Sequence, residues 1–166
     1  METDIQRRAL QVRIIEDCLN GRRTVLDDAV RPGRNRLIGL EQRIEVNSPL
    51  SFVIIMLGVN DLQTGHNFTA SDTAQGLSAL VAPIRRSPIE PGMSLPNILL
   101  VAPPQLRASG GPLAAQVANA EAKSAGLTNA IRDVATEAGC EFFDAGTDTS
   151  TSAVDGVHLD ESQHHH

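Results

Sequence analysis

The chain predicts an α/β protein: a parallel sheet covered by helices on both sides, in the three-layer manner of flavodoxin-like folds. Three observations predict it. Residues 52–57 (Phe-Val-Ile-Ile-Met-Leu) are an unbroken apolar run, expected of a strand buried on both faces rather than one. Further apolar or β-leaning runs recur at 11–19, 97–102 and 140–144, and segments with helical spacing lie between them, which gives a β-α-β-α-β-α-β order. The length of 166 residues suits one domain with a sizeable core, taken here as residues 1–163.

In chain order, residues 3–10 can close a short helix, with Thr3 as a weak cap. Residues 11–19 centre on Ile14 and Ile15 and read as a strand. Residues 20–24 (Asn-Gly-Arg-Arg-Thr) form a loop whose Gly21 lets the backbone approach a neighbour closely, and 26–34 an extended surface loop with Pro32 and Gly33. From 35 to about 46, Leu37, Ile38, Leu40 and Ile44 fall at helical spacing before Ser48-Pro49. After the 52–57 strand, a loop carries His66. Thr69 to Ser71 can cap a helix from 72 to about 85, with Leu77, Leu80, Val81 and Ile84 on one face. A proline-rich connector over 87–96 leads to the strand 97–102, stopped by Pro103-Pro104. Residues 110–139 open with Gly-Gly-Pro and run helical to Ala138, softly interrupted at Gly126. The last strand is 140–144.

Composition removes several functions. A net charge of -6, with the basic pairs Arg7-Arg8, Arg22-Arg23 and Arg85-Arg86 scattered, argues against a nucleic-acid surface; Arg22 and Arg23 read as solvated charges, with a place at the pocket border as the alternative. With no Trp or Tyr and four Phe, aromatic stacking platforms are excluded and the core falls to Leu, Ile, Val and Ala. Cys18 and Cys140 fit reduced, buried thiols. No window approaches the roughly 18 apolar residues of a membrane span, and the Met-Glu-Thr-Asp start is unlike a secretory signal, so the expected address is the cytoplasm. No His/Cys/Asp/Glu cluster has metal-ligand spacing and no glycine-rich phosphate loop occurs, so neither metal nor other cofactor is expected. The closing His164-His165-His166 reads as the remnant of a purification tag.

Loops after three different strands hold residues with chemistry. The 52–57 run stops at Gly58 and delivers Asn60 and Asp61. A parallel sheet brings the carboxyl ends of its strands to one edge, so Gly21, Asn60 and the Asp155/His158 pair can meet there. An Asn amide and a Gly N–H can both stabilise the oxyanion of an acyl-transfer intermediate. Asp155, three residues before His158, can fix the imidazole tautomer of a general base. The plain alternatives are a Gly-Val-Asn-Asp turn and a surface histidine. His66 is a candidate for the substrate pocket; Asp61 is another, although bracing the Asn60 turn is its better role.

Here the chain resembles the SGNH (GDSL-type) hydrolases, in their arylesterase/acyltransferase branch. Gly58-Val-Asn60-Asp61 looks like the family's third block, Asp155-Gly-Val-His158 like its fifth, and Cys18-Leu-Asn-Gly21-Arg-Arg-Thr24 like its second. The resemblance implies hydrolysis of short-chain acyl esters, with His158 as base, Asp155 as its orienter, and Asn60 and Gly21 as oxyanion donors. It also shows a departure. The family's first block ends in Gly-Asp-Ser, and no Gly-Asp-Ser occurs here, so the first strand and nucleophile are expected to be missing and the family's last helix shortened. Activity should then be weak or atypical, through a water activated by His158 or a substitute hydroxyl, for which Thr24 is the candidate; Ser150 and Ser152 lie near the Asp155 loop. The missing strand belongs between residues 11–19 and 52–57, so either these pair directly or a second subunit fills the gap, which predicts at least a dimer. The competing reading is a catalytically dead module serving self-association or partner binding.

Overall fold

A computed structural model describes residues 12–87, 90–108 and 113–165. Its elements are α1 (Leu40–Asn47), β1 (Phe52–Ile55), α2 (Ala70–Arg86), β2 (Asn97–Ala102), α3 (Ala120–Ser124), α4 (Leu127–Glu137) and β3 (Glu141–Asp144). The sheet has three strands in the order β1-β2-β3, all parallel, with Ile55 opposite Leu100 and Leu100 opposite Phe142. The α/β class with a parallel sheet is as the sequence predicts.

Alternation along the strands decides what the sheet buries. Ile55, Ile98, Leu100 and Ala102 pack in one core with Leu77, Leu80 and Ile84 of α2 and Leu127, Ile131 and Ala135 of α4. On the opposite face Phe52, Ile54 and Phe143 are exposed by 39%, 57% and 43%. The expectation that residues 52–57 are covered on both faces therefore fails among the described residues, whose helices bury their apolar side chains with the other face. The strand expected over 11–19 does not form within its described part, nor does 12–19 pair with β1. Its anchor is electrostatic: Asp17 lies 2.7 Å from Arg36, 3.0 Å from Arg43 of α1 and 3.5 Å from Arg22, which ties the segment toward α1. The helix expected over 3–10 lies outside the described residues.

The remaining elements follow local chemistry. The helix anticipated from residue 35 begins at Leu40, because the Asn35 side chain accepts from Leu37 N–H at 3.0 Å and donates to Val25 O at 3.0 Å, holding a turn instead. For α2, Thr69 and Asp72 satisfy each other's backbone N–H groups in a capping box, and Arg85 and Arg86 occupy the last turn, where cations favour the helix dipole. The long helix expected up to Ala138 is two helices, broken where Gly126 takes φ 81°. Cys18 is exposed and Cys140 half-buried, and both are free thiols. The Cys18 side chain therefore corrects the expectation of a buried one. No described helix is long and apolar enough to cross a membrane.

Residues 26–34, read as open surface loop, have an internal anchor. The Asp28 carboxylate accepts from Arg31 N–H at 2.9 Å and Val30 N–H at 3.0 Å and pairs with Arg23 at 3.1 Å. The two N–H groups, helped by Arg23, bring its pKa from 3.8 down to about 2. A depressed carboxylate contributes stability that is present above 3.8 and lost as pH falls through about 2. A carbon-detected NMR titration of the folded protein should place the Asp28 midpoint near 2, and an ordinary carboxylate midpoint would refute this loop geometry.

Candidate active site

Asn60 lies on a 3-10 turn, Val59–Leu62, directly beyond β1. Its Nδ2 donates to Arg22 O at 3.1 Å, and its Oδ1 accepts from Gln63 Nε2 at 3.0 Å. The first bond joins residues 38 positions apart and sets Asn60 against the peptide that follows Gly21. Gly21 is buried in a turn with φ 76°, closed by Arg22 N–H on Leu19 O at 3.0 Å. The Arg31 guanidinium lies 2.7 Å from where a Cβ on Gly21 would stand, so any side chain there would displace it.

Two neighbouring candidates prove structural. Thr24 and Asp61 are both fully buried. Thr24 N–H donates to Asp61 Oδ1 at 3.0 Å, and the Thr24 hydroxyl donates to Asp61 Oδ2. The Thr24 hydroxyl, the candidate substitute nucleophile, has no exposed surface and is committed to the Asp61 carboxylate. Asp61 likewise lines no open pocket; it braces the Gly21 loop against the Asn60 turn. Burial pushes the Asp61 pKa up, while Thr24 and Arg23 pull it back. Arg22 and Arg23, expected to be solvated, are 7% and 6% exposed. Arg23 spans Asp27 O and Asp28, and Arg22 reaches Gly33 O and Asp17.

His66 is half-buried beyond the turn. Partial burial and then the positive charges of Arg23 and Lys123 lower its pKa, favouring neutral imidazole. Lys123 Nζ donates to His66 O at 2.5 Å and to Gln63 O at 3.1 Å, clamping this loop.

The second group lies after β3. His158 Nδ1 is 2.7 Å from Asp155 Oδ2, while Asp155 Oδ1 accepts the N–H groups of Val157 and His158, each at 2.9 Å. The carboxylate therefore folds the loop and orients the ring with the same two oxygens. Burial raises the Asp155 pKa, but the His158 ring and the two N–H groups outweigh it and hold it below the usual carboxylate value. Arg107 N–H donates to Gly156 O at 3.0 Å and Thr151 Oγ1 to Gln105 O at 3.1 Å, docking this loop on the segment after β2. Ser152 is buried, its hydroxyl accepting from Val154 N–H.

Both groups thus follow carboxyl ends of parallel strands, the edge at which α/β sheets bind ligands. Contacts join Gly21's turn to Asn60 and Asp155 to His158; among the described residues no hydrogen bond joins one pair to the other. An open cleft of about 620 Å³ is lined by Gln105, Ala108, Val117, Ala118, Glu121 and Ala122, and none of Gly21, Asn60, Asp155 and His158 is among its lining residues. Apart from Gln105 and Ala108 its walls come from the 113–125 stretch, which Thr64 also binds through Gln116 O and Ala118 O. Of the described residues just after β2, Ala108 lines the cleft and Leu106 is buried in the core. Gln63, Lys123 and Arg31 were not legible as site neighbours. The one sequence signal was Gln63's position three residues after Asn60, within reach across a single turn.

A parallel α/β sheet with polar loops gathered at its carboxyl edge and a His-Asp pair after its last strand is the architecture of the SGNH hydrolases. The chain belongs to the GDSL-like lipase/acylhydrolase family, whose pattern matches residues 3–165. It is similar to the aryl esterase of M. smegmatis, with 34% identity over 91% of this chain and 72% of that one and a TM-score of 0.85. The inhibitor-bound form of that esterase superposes with a TM-score of 0.89 at 32% identity, over 95% of this chain and 75% of the other. A carbohydrate acetylesterase family member from Sinorhizobium meliloti shares 37% identity over 87% of this chain and 70% of that one, with a TM-score of 0.81. Curated protein sequences give no significant match.

Proposed function

We propose that the protein hydrolyses short-chain acyl esters at the edge formed by Gly21, Asn60, Asp155 and His158. The observation that carries this reading is the fixed His158 ring, whose Nδ1 is engaged by Asp155 at 2.7 Å, which leaves Nε2 as the base. Nε2 takes a proton from water as the water oxygen bonds to the ester carbonyl carbon. The resulting oxyanion accepts from the second Asn60 Nδ2 proton and from Gly21 N–H, which donates to no other group among the described residues. Collapse breaks the bond to the alcohol oxygen, which takes the proton from His158 Nε2 and leaves the acid. Water serves as the nucleophile in this reading, since the Thr24 hydroxyl is sealed against Asp61. Turnover is accordingly weak. The carbohydrate acetylesterase relative supports a small acyl group.

Hydrolysis of p-nitrophenyl acetate tests the reading. Replacing Asn60 with Ala should lower kcat by about 10² to 10³, the usual cost of one oxyanion donor, with the fold kept. Turnover equal to that of the wild type would remove Asn60 from catalysis.

A second reading is a non-catalytic module that self-associates, favoured by the exposed Phe52, Ile54, Met56 and Phe143. We include association into at least a dimer in the proposal, with β1 as an edge of the described sheet. Sedimentation as a monomer would overturn the dimer, and equal ester turnover by wild type, Asn60→Ala and His158→Ala would favour the non-catalytic module.

A further inference from the structure

An oxyanion donor works only if its N–H is already aimed when charge develops, since reorientation during the reaction would cost what the bond returns. A carboxamide is a hazard in this respect. Its two ends have nearly the same shape and opposite polarity, so a half-turn about its terminal bond replaces a donor by an acceptor. At Asn60 both ends are held. Nδ2 gives one proton to Arg22 O at 3.1 Å, and Oδ1 takes one from Gln63 Nε2 at 3.0 Å. The flipped amide would set its oxygen against the Arg22 carbonyl, and its NH2 against the Gln63 NH2 as that side chain now stands. The observed orientation keeps one Nδ2 proton uncommitted.

The backbone of Gln63 is itself fixed. Its carbonyl accepts from His66 N–H at 3.0 Å and from Lys123 Nζ at 3.1 Å, so the backbone that carries its side chain is held by the next loop and by α3. Asn60 belongs to the turn Val59–Leu62, and Gln63 caps that turn with φ -58° and ψ 152°, its side chain folding back over the turn onto Asn60. Arg22 O sets which way the amide faces; Gln63 holds the other end of the same plane.

We propose that Gln63 is a positioning residue of the ester-cleaving site: its Nε2 locks the Asn60 carboxamide so that the spare N–H is presented to the developing oxyanion. This rests on Asn60 being an oxyanion donor. Gln63→Glu puts a carboxylate against Asn60 Oδ1 and drives the flip, whereas Gln63→Lys keeps a donor there. On p-nitrophenyl acetate, Gln63→Glu should lose about 10-fold or more in kcat, within the 10² to 10³ that one donor supplies, with KM little changed. Gln63→Lys should restore most of it. In an Asn60→Ala background the same Gln63→Glu change should have no further effect, since the pair acts as one unit. Nitrogen-15 spectra should also show the Asn60 side-chain NH2 resonances displaced in Gln63→Glu and near their wild-type positions in Gln63→Lys.

Asn60→Ala as fast as wild type would remove the oxyanion reading and this proposal with it. A slow Asn60→Ala beside a Gln63→Glu as fast as wild type would remove this proposal alone, as would Asn60 NH2 resonances unmoved by Gln63→Glu.

Discussion

His158→Ala should lower ester turnover by about 10² to 10⁴, the range that a positioned general acid–base group contributes, while leaving the melting temperature close to that of the wild type. The second half of the expectation follows from the geometry. The His158 side chain is 63% exposed, so its removal opens no cavity. The fold of its loop rests instead on Asp155 Oδ1, which still receives the Val157 and residue-158 N–H groups. Asp155→Asn is the sharper companion. Its oxygen can keep the loop, but its NH2 then faces His158 Nδ1 and forces the ring proton onto Nε2, the nitrogen that must accept. The tautomer is wrong and the loss should reach the same range of about 10² to 10⁴. Both variants should be followed with p-nitrophenyl acetate and thermal melting together. A His158→Ala protein that turns over like the wild type would end the case for base catalysis, and one that unfolds would show the dyad to be scaffolding.

The parts of this site that were legible in the sequence are those whose residue type is dictated locally. Asp155-Gly-Val-His158 closes on itself within four positions, so its pairing could be read from spacing alone. The Asn60 turn announced itself because an apolar strand stops at Gly58. What could not be read depends on partners far along the chain. Arg22 and Arg23 looked like surface charges, and become buried only because Gly33 O, Asp17, Asp27 O and Asp28 meet them. Residues 11–19 have strand composition, yet β-propensity mainly measures fit to a neighbouring strand, and the described part has none. Gly76 sits inside α2, where glycine normally costs about 0.5–1 kcal/mol relative to alanine. Its reason is Thr24, whose hydroxyl occupies the space a Cβ at Gly76 would need.

That junction carries the largest expected stability effect. Asp61→Ala removes both acceptors from Thr24 and leaves a buried N–H and hydroxyl without partners. With charge-assisted bonds worth about 1.5–3 kcal/mol and an unpaired buried group costing about 1–3, the offset from no longer burying a carboxylate leaves a loss of roughly 3 kcal/mol, or about 6–12 °C in Tm at this chain length. Asp61→Asn separates charge from geometry. Its oxygen still accepts Thr24 N–H and its NH2 can donate to the Thr24 hydroxyl, so the loss should be about 1 kcal/mol or less. Burial raises the Asp61 pKa, so this group's contribution is largest below the ordinary value of 3.8 and falls as pH rises through the raised one. Asn, uncharged throughout, should remove that dependence. The catalytic consequence follows from what Thr24 is attached to. It ends the short loop whose Arg22 O holds Asn60, so Asp61→Ala should lower kcat even at temperatures where the protein is folded, and Asp61→Asn should keep it. An Asp61→Ala protein that melts and turns over like the wild type would show that the two loops are held together by something other than this buried pair.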